Sequence, residues 1–339
     1  MITKISAFNF RNYDELNFNF DKNIVFFYGN QNVGKTSILE TIYFSIFEKS
    51  FRTNLAKDLI KKNKEHTLIT IEYNNDSEKN NVITTNIKES FFQHLFNQRS
   101  LNSKDFKNYV FPIFINKSIL SNFEKSKEKR WEILNELISI DKKIYLPLIK
   151  DFEKSFTSYK NSILIKDYHD SLKMSITEKI VNLEYEILKL RKDFFKKINN
   201  YFIENLSLYL NTKLLIDYKT FFKEKNDLLR GLNEKKIITI LDDEIVLKNE
   251  NNEYVHISSK KERVFLNLLL LISIVEYVSK EYNQEFPLLL DDILSEIDEK
   301  NYFLFFKILK DKNINVFITN SFRGKISFES LEDVQVIRF

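Results

Sequence analysis

The chain has 339 residues, enough for two or three domains with a buried core, and a formal net charge of +4. That balance is too mild to mark a nucleic-acid binder by itself. Cysteine is absent, which excludes disulfides, thiolate metal sites and a thiol nucleophile, and His66, His94, His169 and His256 lack metal-ligand spacing. No signal-peptide core follows Met1, and the longest apolar stretch, 264–278, is interrupted by Asn267, Ser273 and Glu276. It is shorter than the roughly 20 residues a membrane span needs. A soluble, cytoplasmic protein is expected.

Residues 2–28 read as strands, with Leu16, Phe18 and Phe20 alternating with Asn17 and Asn19. Asn12-Tyr13-Asp14 reads as a turn just after Arg11. The apolar run Ile24-Val25-Phe26-Phe27-Tyr28 is followed by Gly29, Asn30, Gln31, Asn32, Val33, Gly34, Lys35 and Thr36. This is G-x-x-x-x-G-K-T between a strand and a helix that carries Ile38, Leu39, Ile42 and Ile46. Backbone N–H groups of such a loop, at the positive end of a helix, cradle phosphate oxygens. Lys35 would reach the outer phosphates, and the Thr36 hydroxyl would ligate Mg²⁺. After Lys49-Ser50-Phe51-Arg52-Thr53, a helix through Leu55, Leu59 and Ile60 is expected, then strands at 67–73 and 82–87 joined by a polar turn at 74–81.

From about 117 to 235 helical periodicity takes over. Tyr145, Ile149, Phe152, Phe156, Tyr159 and Ile163 form one heptad seam; Ile176, Ile180, Leu183, Ile187, Leu190 and Phe194 form another. The polar stretch 166–171 separates them. A helical hairpin with arms of roughly 28 Å is the natural arrangement; two core helices of an ordinary bundle are the alternative. At 236–339 α/β texture returns. Strands are expected at 237–240 and 244–247, then a buried helix at 264–278. Phe286-Pro287-Leu288-Leu289-Leu290-Asp291-Asp292 follows, a buried strand ending in two carboxylates, the Walker B pattern. Asp291 would hold Mg²⁺, and Asp292 sits where an acid orients and deprotonates water. Lys35 and Asp292 are thus the candidate catalytic residues, with Thr36 and Asp291 for the metal. Val316-Phe317-Ile318-Thr319-Asn320 reads as a further buried strand. The two α/β segments, 1–116 and 236–339, must form one sheet if Lys35, Thr36 and Asp291 share one nucleotide. The architecture is then a split α/β P-loop ATPase head with a helical arm at 117–235.

These motifs resemble the bacterial recombination-repair family RecF, among the ABC-type ATPases of the SMC group. Asn9-Phe10-Arg11-Asn12-Tyr13 is similar to its N-terminal F-R-N-Y, residues 49–53 to its K-S-F/H-R-T, and residues 288–299 to its Walker B and D-loop. Residues 316–319 match its last core strand, and Lys129-Arg130 and Tyr145-Leu146 fall where it has R-R and Y-L. The resemblance spans essentially the whole chain. It implies an ABC-like head with an arm, and dimerisation with ATP sandwiched between two copies. It also implies binding at single-strand/double-strand DNA junctions and loading of recombinase with RecR and RecO. It implies that Arg11 approaches the nucleotide, that Ser258 acts across the dimer, and that residues 295–298 touch the opposite head. The missing C-x-x-C excludes a zinc hook, and the arm is too short for an SMC coiled coil.

Three departures bear on hydrolysis more than on binding. Asn32 replaces a family glycine; Asn tolerates left-handed backbone. In the signature segment 257–263, Ser258 and Arg263 match, but Lys260 stands for glycine. The family's G-P-H-R-D-D survives only as Asp242-Asp243. A clamp that binds nucleotide without hydrolysing it is one alternative. An SMC-like ATPase of the overcoming-lysogeny type is another, though no second acidic metal cluster follows residue 300. Candidate basic surfaces for DNA phosphates are Lys57 with Lys61, Lys62 and Lys64; Lys125, Lys127, Lys129 and Arg130; and Lys189, Arg191, Lys192, Lys196 and Lys197. DNA contacts would be to the backbone and salt-dependent.

Overall fold

The computed structural model describes residues 1–74, 80–88, 91–100, 110–164, 170–210, 213–220, 225, 239–321 and 333–339. The chain folds as two compact units, Met1–Leu120 with Val278–Phe339, and Ser121–Tyr277.

The first unit opens with β1 (Ile2–Phe10), β2 (Tyr13–Asn19), β3 (Ile24–Tyr28) and α1 (Lys35–Phe47). Next come β4 (His66–Tyr73), β5 (Asn81–Lys88), β6 (Phe91–Phe96), β7 (Arg99–Ser100) and β8 (Ile113–Asn116). Among the described residues these strands fall into two sheets, one of which also takes strands from the chain's end. The antiparallel sheet runs β2-β1-β4-β5-β6-β7. Its strands β4 and β5 alternate buried and open positions, as expected where one face meets a core. Between residues 53 and 66 a single 3₁₀ turn at Ala56–Leu59 replaces the expected helix. The tight turn after β1 is Arg11-Asn12, one step earlier than expected, because Tyr13 already pairs with Phe10.

Helix α2 (Lys117–Lys125) leads into the second unit, which holds α3 (Lys127–Asp141), α4 (Tyr145–Leu164), α5 (Asp170–Leu210), β9 (Leu214–Lys219), β10 (Glu244–Asn249) and β11 (Tyr254–Val255). Helix α6 (Lys260–Tyr282) returns the chain to the first unit, where β12 (Leu288–Asp291), α7 (Glu299–Asp311), β13 (Val316–Asn320) and β14 (Val334–Arg338) complete it. The second sheet of the first unit, β14-β3-β13-β12-β8, is parallel throughout. Parallel sheets are covered on both faces, which is why β3, β12 and β13 are nearly unbroken apolar runs. Ile38, Leu39, Ile42 and Ile46 of α1 share one core with Ile5 and Ile69 of the antiparallel sheet and with Val25, Phe27, Leu289 and Phe317 of the parallel one. The helix after the phosphate loop is thereby clamped between sheets, which fixes its N-terminus.

In the second unit the seam of α4 is buried from Tyr145 through Tyr159. Helix α5 runs well beyond its heptad seam, since Ile198, Phe202 and Leu206 extend the buried stripe. A second buried face (Leu188, Arg191, Phe195) arises because α5 packs on β9 as well as on α4. The two helices are therefore core elements over this length. The sequence places the return to the head at 236, whereas the compact division falls at Val278. Long-range pairing explains the difference. β10 pairs with β9, Arg191 donates to the Ile240 carbonyl (2.8 Å), and Asn205 donates to Ser273 (3.0 Å), tying 240–273 to β9 and α5. The expected strand 237–240 and the polar segments 74–81 and 166–171 lie partly outside the described residues. No helix among the described residues is long and apolar enough to cross a membrane.

Candidate functional site

In the parallel sheet the C-terminal ends of β3, β13, β12 and β8 lie side by side, the edge at which open α/β sheets bind ligands. The register aligns Asn116, Asp291 and Thr319 across three neighbouring strands. Thr36, in the first turn of α1, donates to Asp291 Oδ1 at 2.7 Å, and Thr319 donates to the same oxygen at 2.6 Å. Residues 255 apart in the chain thus meet. The phosphate loop leaves β3 at Gly29, with Asn30, Gln31 and Asn32 exposed and Val33 and Gly34 half-buried. Gly34 has φ 101° and Asn32 φ 65°, so Asn32 supplies the left-handed geometry that its family glycine would. A Cβ on Gly34 would drive into the ring of Tyr13, whose hydroxyl donates to the Val33 carbonyl (3.1 Å). Burial pushes that hydroxyl up to about 12. Lys35 is buried, and its ammonium donates to the Gly29 and Asn30 carbonyls at 2.9 and 2.5 Å. Burial holds it below the ordinary lysine range, against the pull of Asp292 and Asp291.

Asp292 occupies the left-handed region at φ 55°, an uncommon conformation for a non-glycine residue and a frequent mark of a working site. Its Oδ1 accepts from the Ser321 N–H (3.0 Å) and hydroxyl (2.9 Å), and its Oδ2 pairs with the Lys117 ammonium at 2.6 Å. Burial raises this carboxyl, but the bonds from Lys117 and Ser321 outweigh burial and hold it below the usual range. The donor set suits a hard divalent cation: a hydroxyl and a carboxylate from Thr36 and Asp291, with no soft ligand. The fixed loop, the Lys35 ammonium and the start of α1 suit a polyphosphate.

Two other predicted residues lie elsewhere. Arg11 faces α1: its guanidinium donates to buried Glu40 through Nε (2.9 Å) and Nη2 (2.5 Å), and to the Asp58 carbonyl (2.8 Å). Arg52 and Ser50 converge on the same carboxylate, so the F-R-N-Y and K-S-F-R-T segments meet at Glu40. Ser258 is exposed in the second unit, just before α6. Arg263 braces that segment by donating to the Ile257 and Ser258 carbonyls at 2.8 Å while pairing with Glu124. Lys260 is the exposed first residue of α6. The basic surfaces are smaller than the sequence suggests. Arg191 is fully buried, because its guanidinium bonds inside the unit, and Arg130 donates to the Phe123 and Glu124 carbonyls. Lys61 pairs with Asp14 and Lys129 with Glu132, whereas Lys57, Lys62, Lys192 and Lys196 are exposed.

Sequence reasoning missed Lys117, Ser321, Thr319 and Glu40. The signal for the first three was available: Phe114-Ile115-Asn116-Lys117 and Phe317-Ile318-Thr319-Asn320-Ser321 are apolar runs ending in polar residues, like the Walker B strand itself.

No family model matches the chain. The DNA replication and repair protein RecF of Francisella tularensis is 27% identical over 352 residues, covering 96% of each chain. That of Leptospira interrogans is 24% identical over 331 residues, covering 93% of this chain and 90% of the relative. Among solved structures, the recombination mediator protein RecF-ATP of the RecFOR pathway superposes with TM-score 0.71 at 20% identity, covering 96% of this chain and 93% of that one. The Smc head domain of Pyrococcus furiosus gives 0.57 at 17% identity, covering 94% and 89%. The fold is that of an ABC/SMC-like P-loop ATPase head with an inserted helical domain. Within that class, the chain is similar over nearly its whole length to DNA replication and repair proteins named RecF.

Proposed function

We propose that this protein is a RecF-type recombination mediator that binds ATP with Mg²⁺ at the 29–36 loop and uses it to engage DNA. The observation that carries this reading is the meeting of Thr36 and Asp291 at 2.7 Å, which joins the loop to the Walker B strand. Lys35 would release the two loop carbonyls and bind the outer phosphates. Thr36 and Asp291 would hold the cation, which neutralises phosphate charge when bound. Asp292, fixed by Ser321, would orient the attacking water and take its proton. Ser258 would contact the terminal phosphate held by a second copy, making ATP the glue of a homodimer. Arg11 would reach the nucleotide only by exchanging a Glu40 contact. The dimer would close on DNA backbone at single-strand/double-strand junctions in the cytoplasm, with RecR and RecO as partners in recombinase loading. Hydrolysis would be slow and would release the DNA. A second reading, a nucleotide-dependent clamp without turnover, is favoured by Lys260 at the position of the signature glycine.

The test is DNA binding with and without ATP across a salt series, for the full chain and for Lys35→Ala. ATP-stimulated, salt-sensitive binding that Lys35→Ala abolishes supports the reading. Stimulation that survives in Lys35→Ala overturns it.

A further inference from the structure

Lys117 is the first residue of α2 and directly follows β8. Its root is fixed: Asn116 pairs in register with Asp291, and the Asn116 side chain accepts from the Ile119 N–H at 2.8 Å, capping the helix. Its ammonium, in contrast, is held only by an ion pair with Asp292 in which the two side chains are 42% and 31% exposed. Nor does Asp292 depend on that ammonium for its orientation. Ser321 already holds Oδ1 twice, and the Asp292 N–H donates to the Thr319 carbonyl at 3.0 Å. Two ammoniums, Lys35 and Lys117, balance two carboxylates, Asp291 and Asp292, before any ligand arrives. A terminal phosphate adds charge at the Asp292 end of this cluster, where an ammonium on a flexible stem is suited to meet it.

We propose that Lys117 is a specificity-determining residue for the outer phosphate, moving its ammonium from Asp292 to the terminal phosphate of a bound triphosphate and so distinguishing ATP from ADP. This rests on the nucleotide reading of the site. On this proposal a diphosphate, lacking the terminal phosphate, leaves the Lys117–Asp292 pair intact. The contact comes from the same chain as the loop, so it does not require the second copy.

The test is equilibrium binding of ADP and of a slowly hydrolysed ATP analogue, both with Mg²⁺, to the full chain and to Lys117→Met, Lys117→Gln, Lys117→Arg and Lys35→Ala. Both neutral variants should bind the triphosphate about tenfold more weakly while ADP affinity stays within about twofold, the effect of losing one charge-assisted contact. Lys117→Arg should keep most of the preference. An unchanged triphosphate-to-diphosphate ratio in the neutral variants, or equal loss of both ligands, overturns the proposal. Lys35→Ala should weaken both ligands; if it binds both as well as the native chain, the nucleotide reading itself fails, whatever Lys117 does.

Discussion

Two clusters of charge, one in each unit, are built on opposite lines. In the second unit Arg191 and Asp243 meet at 3.1 Å with side chains 1% and 0% exposed. The Arg191 guanidinium also donates to the Tyr145 hydroxyl and the Ile240 carbonyl, both at 2.8 Å, and lies 3.7 Å over the Trp131 ring. Tyr218 donates to Asp243, and burial pushes nearby Glu184 up to about 8. In the first unit Lys117, Asp292, Asp291 and Thr36 stand half-exposed where the parallel strands end and the next helices begin. The charge that locks the helical unit is buried with fixed partners; the Lys117–Asp292 pair is left part-exposed, so that exchanging partners there costs little.

Breaking the buried cluster should have the largest effect. Arg191→Met leaves Asp243 without its cation and should lower the stability of the helical unit by about 3–5 kcal/mol. Guanidinium unfolding followed by the fluorescence of Trp131, the chain's one tryptophan, reads this directly. Asp292→Asn should leave that transition unchanged while single-turnover ATP hydrolysis falls about 100-fold. Equal rates would leave only the clamp.

A smaller effect separates the clusters by pH. The folded value of Glu184, about 8, lies above its ordinary 4.5. The folded state therefore holds a proton that the unfolded chain gives up. This contribution to stability is full below about 4.5 and is lost as pH rises through about 8. Glu184→Gln should abolish a decline of at least about 1 kcal/mol between those limits. Smallest of all, Lys129→Ala removes an exposed pair with Glu132 and should change stability by less than about 0.5 kcal/mol.

Legibility in the sequence followed locality. The phosphate loop, the Walker B strand and the two helical seams are written in adjacent residues, and their elements formed where expected. Lys117 and Ser321 join Asp292 only through the strand order β13-β12-β8, which no local pattern encodes. Glu40 looked like an ordinary helix residue; its burial beneath Arg11 and Arg52 depends on the turn after β1 and the 49–53 segment converging on α1. Arg191 read as one more lysine-like charge on a helix face, because the second buried face of α5 exists only once β9 packs against it. Strand β8 was missed for a related reason, being a short apolar run just after Pro112.

The most direct measurement is calorimetric titration of ATP with and without Mg²⁺, for the native chain and for Asp291→Asn. If Thr36 and Asp291 form one cation site across the sheet, Mg²⁺ should tighten ATP binding by the native chain at least about tenfold, as one charge-assisted contact or more would. That gain should disappear in Asp291→Asn while its metal-free melting temperature stays the same. A Mg²⁺ gain that survives intact in Asp291→Asn would contradict the shared site.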